Sequence, residues 1–305
     1  MSAAATLIAV LVGVLTVVMI ATTLRERGRA FWARYFSRSV GLAVPVGMEP
    51  AVIARIVRAV RTSCLGAAVG EAAVLAGFLV LPSAGFPGDA WLSLGGYLCG
   101  AGVGAAFAAL TASRPLGADE RRFARAGAVA LRDYVAPVER IGARVVVAAA
   151  AVLLALSPAL PLRGIPGAPS TLRLAFDTAM VTFAVLSLLL FEVGARRILE
   201  RGQPAGSSAE LAWDDALRAV ALRSLASAPL CLGLWTAILI GGDLLDVAGA
   251  APLRSAAWWM GDVLTLVLLA GLIAFAVAAF VARPQQYYLR RLWPAGARTT
   301  TGASR

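Results

Sequence analysis

The sequence contains no lysine and no histidine, and only 15% of its 305 residues are charged. The absence of histidine excludes a Ser-His-Asp triad and any metal site built on imidazole. Three separated cysteines provide neither a disulfide framework nor a CxxC motif, and no GxxxxGK[ST] phosphate loop occurs. We therefore expect no enzymatic activity, no cofactor and no metal, and any use of ATP would depend on a partner.

Apolar residues are abundant instead. They make up 60% of the chain, and the mean hydropathy is +0.80, whereas a soluble domain carries roughly 25% charged residues. The net charge of +11 comes entirely from arginine, and the arginines flank apolar runs without forming one basic face. This distribution favours anionic lipid headgroups over nucleic acid as the counter-charge. A chain rich in Arg, Ala and Val is also typical of GC-rich bacterial genomes.

Seven apolar runs are long enough to cross a bilayer, which needs about 20 helical residues. The fourth run contains Pro158 and Pro161, so we expect its outer end to be broken, and a re-entrant hairpin is the alternative if it fails to span. The sequence thus predicts an all-α, polytopic membrane protein. The runs are 3–24, 62–82, 91–112, 143–162, 172–194, 224–243 and 257–282.

The arginines alternate in number along the connections between these runs. Eight lie in 25–61, seven in 114–144, five in 196–223 and five in 283–305, whereas the opposite side holds only Arg163, Arg173 and Arg254. By the positive-inside rule, the Arg-rich connections face the cytoplasm. We expect an outside N-terminus, a cytoplasmic C-terminus and a multi-pass position in the bacterial inner (plasma) membrane.

The same pattern predicts the domain organisation. An N-terminal transmembrane anchor (1–24) precedes a cytoplasmic segment with an amphipathic helix (25–61), a six-helix membrane domain (62–282) and a basic cytoplasmic tail (283–305). The membrane domain reads as three hairpins, 62–112, 143–194 and 224–282. Their spacing of about 81 residues indicates triplication, but the residue-level similarity is thin, and we leave a true repeat open.

The cytoplasmic segments carry helical periodicity. In 50–61, apolar residues share one face while Arg55, Arg58 and Arg61 line the other, which predicts an interfacial helix on anionic lipid. Docking of a cytoplasmic protein, such as an ATPase subunit, is the alternative. The segment Glu210–Arg223 is interpreted as a solvated helix with an ion pair between Asp214 and Arg218, four residues apart.

Acidic residues inside the predicted spans are the candidate functional residues. Glu71 lies near the middle of the second span, with no basic residue at the same depth. It should therefore be protonated, face a water-filled cavity or coordinate a cation. A proton or cation site is the functional reading, and a neutral Glu71 hydrogen-bonded to a neighbouring helix is the structural one.

Asp177 and Asp262 lie at similar depths, near the outer ends of the fifth and seventh spans. Together they could hold a cation or line an outward vestibule, with Asp243 nearby. The simpler interpretation pairs each with Arg173 or Arg254 at the same surface. Glu192 is expected to pair with Arg196, four residues later.

Small residues supply the packing signal. Glycines recur at every fourth position on one face of the second and third spans, a spacing that lets two helices approach closely. We predict that these two spans pack through their glycine faces, beside Glu71; a homo-oligomeric contact is the alternative. The glycines are Gly66, Gly70, Gly96, Gly100 and Gly104.

Two short strings, at 132–137 (RDYVAP) and 213–219 (WDDALRA), resemble segments that precede membrane spans in polytopic integral membrane proteins of GC-rich, actinobacterial-type bacteria. The resemblance covers about the last two-thirds of the chain and implies the topology, with no established activity to transfer. Two function classes remain. The first is a transporter or permease-like component working with a partner, and the second is a non-transporting scaffold, regulatory or accessory subunit.

Overall fold

The computed structural model describes residues 3–43, 49–80, 89–111, 129–157, 171–203, 208–249, 263 and 287–293. Within these ranges all regular structure is α-helical, as the sequence predicts. The helices of four or more residues are α1 (Ala3–Leu24), α2 (Glu26–Val40), α3 (Glu49–Val80), α4 (Asp89–Thr111), α5 (Leu131–Tyr134), α6 (Pro137–Leu156), α7 (Thr171–Glu200), α8 (Ser208–Gly249) and α9 (Tyr287–Leu292).

The helix α8 lies at the centre of the packing, in contact with α4, α6 and α7. The most extensive helix contact is between α3 and α4, and α1 packs on both of them. Apolar side chains also bury between α6, α7 and α8, including Val147, Ala184 and Leu232. The first predicted hairpin is therefore a closely packed pair, whereas α6 and α7 each contact α8 more extensively than they contact each other.

Six of the predicted spans coincide with helices, namely α1, α3, α4, α6, α7 and α8. The seventh span lies outside the described residues apart from Val263, and so does the outer end of the fourth span. By length and composition, two helical segments of the described chain can cross a bilayer, Arg173–Glu200 and Ser208–Gly242. Val10–Leu24 and Gly95–Thr111 are shorter apolar helices.

The amphipathic segment 50–61 does not form a separate helix. It is the first third of α3, which continues into the second predicted span without a break. Its apolar face is buried against protein, with Val52 and Ile56 in the largest core cluster. Periodicity identifies an apolar face but not whether lipid or protein covers it, so the lipid-surface role of Arg55, Arg58 and Arg61 stays a prediction.

The segment Glu210–Arg223 is likewise not a solvated helix. It is the first part of α8, and Glu210, Trp213 and Asp215 are buried in it. The predicted pair between Asp214 and Arg218 is confirmed, with Arg218 Nε 3.0 Å from Asp214 Oδ2. The segment thus forms part of the core at the arginine-rich end of the molecule.

Ion pairs connect the helices at this end. Arg223 Nη2 lies 2.8 Å from Glu139 Oε1, which joins α8 to α6. Glu192 pairs with Arg144, 2.6 Å away on α6, and not with Arg196 four residues later as predicted. The intrahelical pattern did not anticipate this partner because Arg144 comes from the preceding helix of the hairpin.

Candidate functional site: a cavity beside a buried aspartate cluster

Glu71, the central acidic residue of α3, is buried and has no close charged partner in the described chain. It is 5% exposed, and neither of its carboxylate oxygens has a hydrogen-bond partner among the described residues. Its polar neighbour is Ser93 of α4. The buried Ser93 hydroxyl likewise has no hydrogen-bond partner among the described residues. The setting is thus a carboxyl group beside a hydroxyl in tight packing.

Asp177 has a local partner. Arg173 Nε lies 3.4 Å from Asp177 Oδ1, one helical turn away, and the Arg173 guanidinium also lies over the Phe176 ring, 5.5 Å from its centroid. This arrangement matches the ion-pair interpretation of Asp177. Asp262 lies outside the described residues, and so does the side chain of Asp243. The outward vestibule, which depends on both, therefore stays a prediction.

The five predicted packing glycines lie together where α3 crosses α4. A Cβ atom added at Gly66 would stand 2.1 Å from Gly100 O, one at Gly70 would stand 2.1 Å from Gly96 O, and one at Gly104 would stand 2.0 Å from Thr62 O. The backbones are therefore in direct contact, with no space for side chains between them. The order of these contacts shows that α3 and α4 run antiparallel.

The three predicted lipid-surface arginines have different surroundings. Arg55 Nη1 lies 3.1 Å from Asp214 Oδ1, and Arg61 donates to the backbone and hydroxyl of Thr23 at the end of α1. Arg58 is exposed, and no hydrogen bond or ion pair of its side chain is formed within the described chain. Two of the three thus contribute to the protein's own packing.

A polar cluster of buried and half-buried side chains, which we call the aspartate cluster, surrounds the start of α8. It consists of Asp214 and Asp215 with their partners Arg55, Arg218, Gln203, Tyr134 and Trp293. Gln203 Nε2 donates to both carboxylates, at 3.0 Å to Asp214 Oδ2 and 2.9 Å to Asp215 Oδ1. The cluster therefore joins α3, α5, α8 and the segments that follow α7 and α9.

Asp215 is the centre of this cluster. It is fully buried, and it accepts hydrogen bonds from Tyr134 OH at 2.7 Å and Trp293 Nε1 at 3.0 Å. Tyr288 also donates to Val40 O, and Trp213 donates to Ala43 O. Burial raises the pKa of Tyr288, and the nearby Asp215 charge raises it further.

A cavity of about 360 Å³ lies beside the aspartate cluster, between α2, α3, α4 and α8. Its α3 lining extends from Arg55 to Cys64, about 13 Å at 1.5 Å per residue. Because α3 and α4 are antiparallel, Tyr97 lies at the Cys64 end, and Ala109 lies at the Arg55 end. We call this space the central cavity.

The two ends of the central cavity differ in chemistry. The Cys64 end is apolar, with Met19, Tyr97, Ala101 and Ala105 in the lining. The other end holds four arginines, Arg55, Arg58, Arg201 and Arg218, against the single carboxylate of Asp214. The cavity thus combines an apolar interior with an excess of positive charge at one end.

Two of these arginines are held by backbone carbonyls. Arg218 Nη2 donates to Arg201 O at 2.8 Å and Gly202 O at 3.0 Å, and Arg201 Nη1 donates to Ala109 O at 3.4 Å. These bonds satisfy carbonyls at the ends of α7 and α4 and fix the guanidinium groups in place. In the described residues no group of three or more Cys, Asp or Glu side chains has the arrangement of a metal site.

Comparison of the chain with protein-family models, with curated proteins and with solved structures finds no match. The geometry of the central cavity and its charges therefore carries the functional argument. The resemblance of the strings at 132–137 and 213–219 to bacterial membrane proteins stays a prediction. In the structure the two strings contribute Tyr134 and Asp215, which bond to each other.

Sequence reasoning missed Asp215, Tyr134 and Gln203 as a cluster. One signal was present, because Asp215 shares a helical face with Leu211 and Leu222, both of which are buried. An acidic residue on an apolar helix face predicts that its carboxylate is buried and accepts hydrogen bonds from other parts of the protein. Nothing local to α8, however, indicates that those partners come from 203, 134 and 293.

Proposed function

We propose that the chain is a seven-span membrane protein with an outside N-terminus and a cytoplasmic C-terminus, located in a bacterial plasma membrane. Support comes from the six helices that coincide with predicted spans and from the arginine alternation. Large apolar side chains exposed on α1, α3, α4, α6 and α7 also support it, since soluble proteins seldom expose large apolar surfaces. These exposed side chains include Leu11, Val14, Val17, Leu65, Val69, Val103, Phe107, Val145, Val152, Leu186, Leu189 and Val193.

Within this topology we propose a binding role of the accessory or regulatory class, and not a catalytic one. The observation that carries it is the central cavity, with its apolar interior and arginine-rich end. The ligand that matches both ends is an anionic amphiphile, with a chain against Tyr97 and Ala101 and a phosphate or carboxylate near Arg58. Occupancy of the cavity would then be read out by a cytoplasmic protein partner or by a second copy of the chain.

Charge favours an anion over a neutral amphiphile. Asp214 is already bonded to Arg55 and Arg218, so one carboxylate is shared between two guanidinium groups. Arg58 and Arg201 add positive charge that no carboxylate of the lining offsets. An anion near these groups would form charge-assisted hydrogen bonds in a partly desolvated site, where such bonds are strong.

The experiment fills the cavity without changing its charge. Ala101→Phe places a ring in the apolar interior, and Val103→Phe on the exposed side of the same helix is the matched control. The protein is reconstituted in nanodiscs of zwitterionic lipid, and bound dodecyl phosphate is counted by native mass spectrometry. We expect Ala101→Phe to weaken binding by about tenfold or more, or 1.4 kcal/mol, and Val103→Phe to change it little.

Two outcomes would contradict the proposal. One is equal binding of dodecyl phosphate by wild type and Ala101→Phe. The other is equal binding of dodecyltrimethylammonium, since a cationic headgroup should be disfavoured beside four arginines.

A second candidate function is transport, and Glu71 is the observation that favours it. A buried carboxyl group beside Ser93, with no other partner in the described chain, can take up a proton or a cation. The lining of the central cavity does not include Glu71, so a path would need the helices to separate.

Proton flux into proteoliposomes, followed with an internal pH dye, tests this second function. We expect wild type to conduct, Glu71→Gln to reduce the flux at least tenfold, and Glu192→Gln to leave it unchanged. Flux equal to that of empty liposomes, or equal in wild type and Glu71→Gln, would contradict it.

A further inference from the structure

A second concave surface, which we call the arginine groove, lies between α2 and α3. It has a volume of about 570 Å³, and its charged lining consists of Arg29, Arg58 and Arg61. No carboxylate lines it within the described chain. The remaining lining is apolar or uncharged, from Pro50, Ile53, Ala54, Val57 and Thr62.

Two of the three arginines are fixed at the same point. Arg61 Nη2 and Arg29 Nε both donate to Thr23 O, each at 3.0 Å, and Arg61 Nε donates to Thr23 Oγ1 at 2.8 Å. The negative end of the α1 dipole holds the guanidinium groups there. Two like charges are thus held close together, and their remaining N–H groups have no partner within the described chain.

Arg58 completes the charge of the groove. It lies on the same α3 surface as Arg61, is exposed and has no hydrogen bond or ion pair within the described chain. Three neighbouring guanidinium groups repel one another, and the repulsion is relieved when an anion binds between them. Phosphate matches this need, since arginine donates to its oxygens in pairs.

The position of the groove along the molecule identifies the source of the phosphate. Thr23 is next to the last residue of α1, and Thr62 begins the second predicted span. The end of the groove that holds Arg61 and Thr62 is therefore at the level where the predicted apolar spans meet the arginine-rich side, which is the depth of lipid phosphates. The apolar lining from Ile53, Ala54 and Val57 faces the same space as the charges.

We propose that the arginine groove is a specific binding site for the headgroup of an anionic phospholipid. This differs from general attraction of a basic helix to a membrane, because Arg29 of α2 joins the site and Arg55 is bonded to Asp214 instead. The groove shares Arg58 with the central cavity, but Arg29 and Arg61 line only the groove and Ala101 lines only the cavity, so the two sites can be tested separately.

The test measures lipid retention by the full-length protein. The protein is reconstituted in nanodiscs with equal amounts of phosphatidylglycerol and phosphatidylcholine, and the lipids that remain bound after release are counted by native mass spectrometry. We expect wild type to retain phosphatidylglycerol at least tenfold over phosphatidylcholine. Arg29→Gln with Arg61→Gln should lose this preference, whereas Arg34→Gln with Arg38→Gln, which removes the same charge from exposed positions, should keep it.

A third variant keeps the proposal testable if the double variant Arg29→Gln with Arg61→Gln fails to fold. Arg58→Gln removes charge from the groove and leaves the contacts to Thr23 intact, and we expect it to reduce the preference about fivefold or more. Retention of phosphatidylglycerol by Ala101→Phe at the wild-type level would separate this site from the central cavity.

Three results would overturn the proposal. Equal retention of both lipids would mean that the groove recognises apolar surface only. Displacement of phosphatidylglycerol by 10-fold excess inorganic phosphate would identify a free-anion site instead. An equal loss in the Arg34 and Arg38 control would reduce the effect to net charge.

Discussion

At the scale of single residues, we expect the hydrogen bonds to Asp215 to contribute most to stability. Asp215 is fully buried, and its oxygens accept hydrogen bonds from Tyr134, Gln203 and Trp293. A buried carboxylate is costly unless donors replace its water, and here the donors come from three separate segments of the chain. Removing one donor leaves the Asp215 carboxylate less well stabilised. The loss of any one of these three hydrogen bonds should therefore lower the free energy of unfolding more than the loss of a surface hydrogen bond does.

Tyr134→Phe tests this expectation. The substitution keeps the ring and removes the 2.7 Å hydrogen bond to Asp215. Because hydrogen bonds to charged groups contribute about 1.5–3 kcal/mol, we expect a loss of this size in the free energy of unfolding, measured by denaturant titration in detergent. Tyr287→Phe, which removes an exposed bond to Arg132 O, should cost less than about 1 kcal/mol. Equal costs for the two variants would contradict the role of Asp215.

Tyr288 makes stability depend on pH in the alkaline range. Burial, and then the Asp215 charge, raises the pKa of Tyr288 above its ordinary value near 10. Above that value the unfolded state ionises first, while the folded state keeps the neutral phenol. The stabilisation is therefore complete below pH about 10 and is lost as pH rises through the folded pKa, by up to about 1.4 kcal/mol per pH unit.

The measurement is the melting temperature between pH 9 and 11. We expect wild type to lose stability steeply over this range and Tyr288→Phe to lose less per pH unit. Tyr35→Phe, which alters an exposed ring, should keep the wild-type slope. A wild-type slope in Tyr288→Phe would show that other groups carry the pH dependence.

At the scale of helices, the glycine contact between α3 and α4 is the feature that sequence predicted best. Spacing alone placed Gly66, Gly70, Gly96 and Gly100 on facing surfaces, because a repeat of four residues stays on one side of a helix. For the apolar face of 50–61 the same reasoning does not identify the protein surface that covers Val52 and Ile56. Periodicity reports that a face is apolar, and the identity of the covering material depends on the rest of the fold.

Gly100→Ala should lower the melting temperature. The added Cβ would lie 2.0 Å from Gly66 O, a backbone atom that moves only if the two helices separate. We expect a cost of about 2 kcal/mol or more, as in other overpacked contacts. Gly13→Ala is the matched control, since a Cβ there has open space around it, and it should be neutral or stabilise α1 by up to about 1 kcal/mol. A neutral Gly100→Ala would mean that the contact is looser than described.

At the scale of the whole molecule, the helical class and the helices that carry six predicted spans could be predicted from sequence. They follow from composition and run length, which are properties of the chain as a whole. The aspartate cluster and the central cavity could not, because they depend on residues far apart in sequence. Arg55 and Asp214, for example, are separated by 159 positions and meet only in the folded protein.

The seven-span topology is tested by reporter fusions. A fluorescent protein fused after residue 305 should be fluorescent in the cytoplasm, and alkaline phosphatase fused there should be inactive. The opposite activities are expected for fusions within 163–170, where Arg163 is the only basic residue. An active phosphatase at the C-terminus would invert the orientation and place the aspartate cluster outside.

The helix α8 has 42 residues, so it is about 63 Å long at 1.5 Å per residue. The hydrocarbon core of a bilayer is only about 30 Å thick. In the proposed topology, roughly half of α8 would therefore lie beyond the hydrocarbon, and Asp214 and Asp215 belong to that half. Because one continuous helix carries both the proposed sixth span and the aspartates, a tilt of that span would be transmitted to the aspartate cluster.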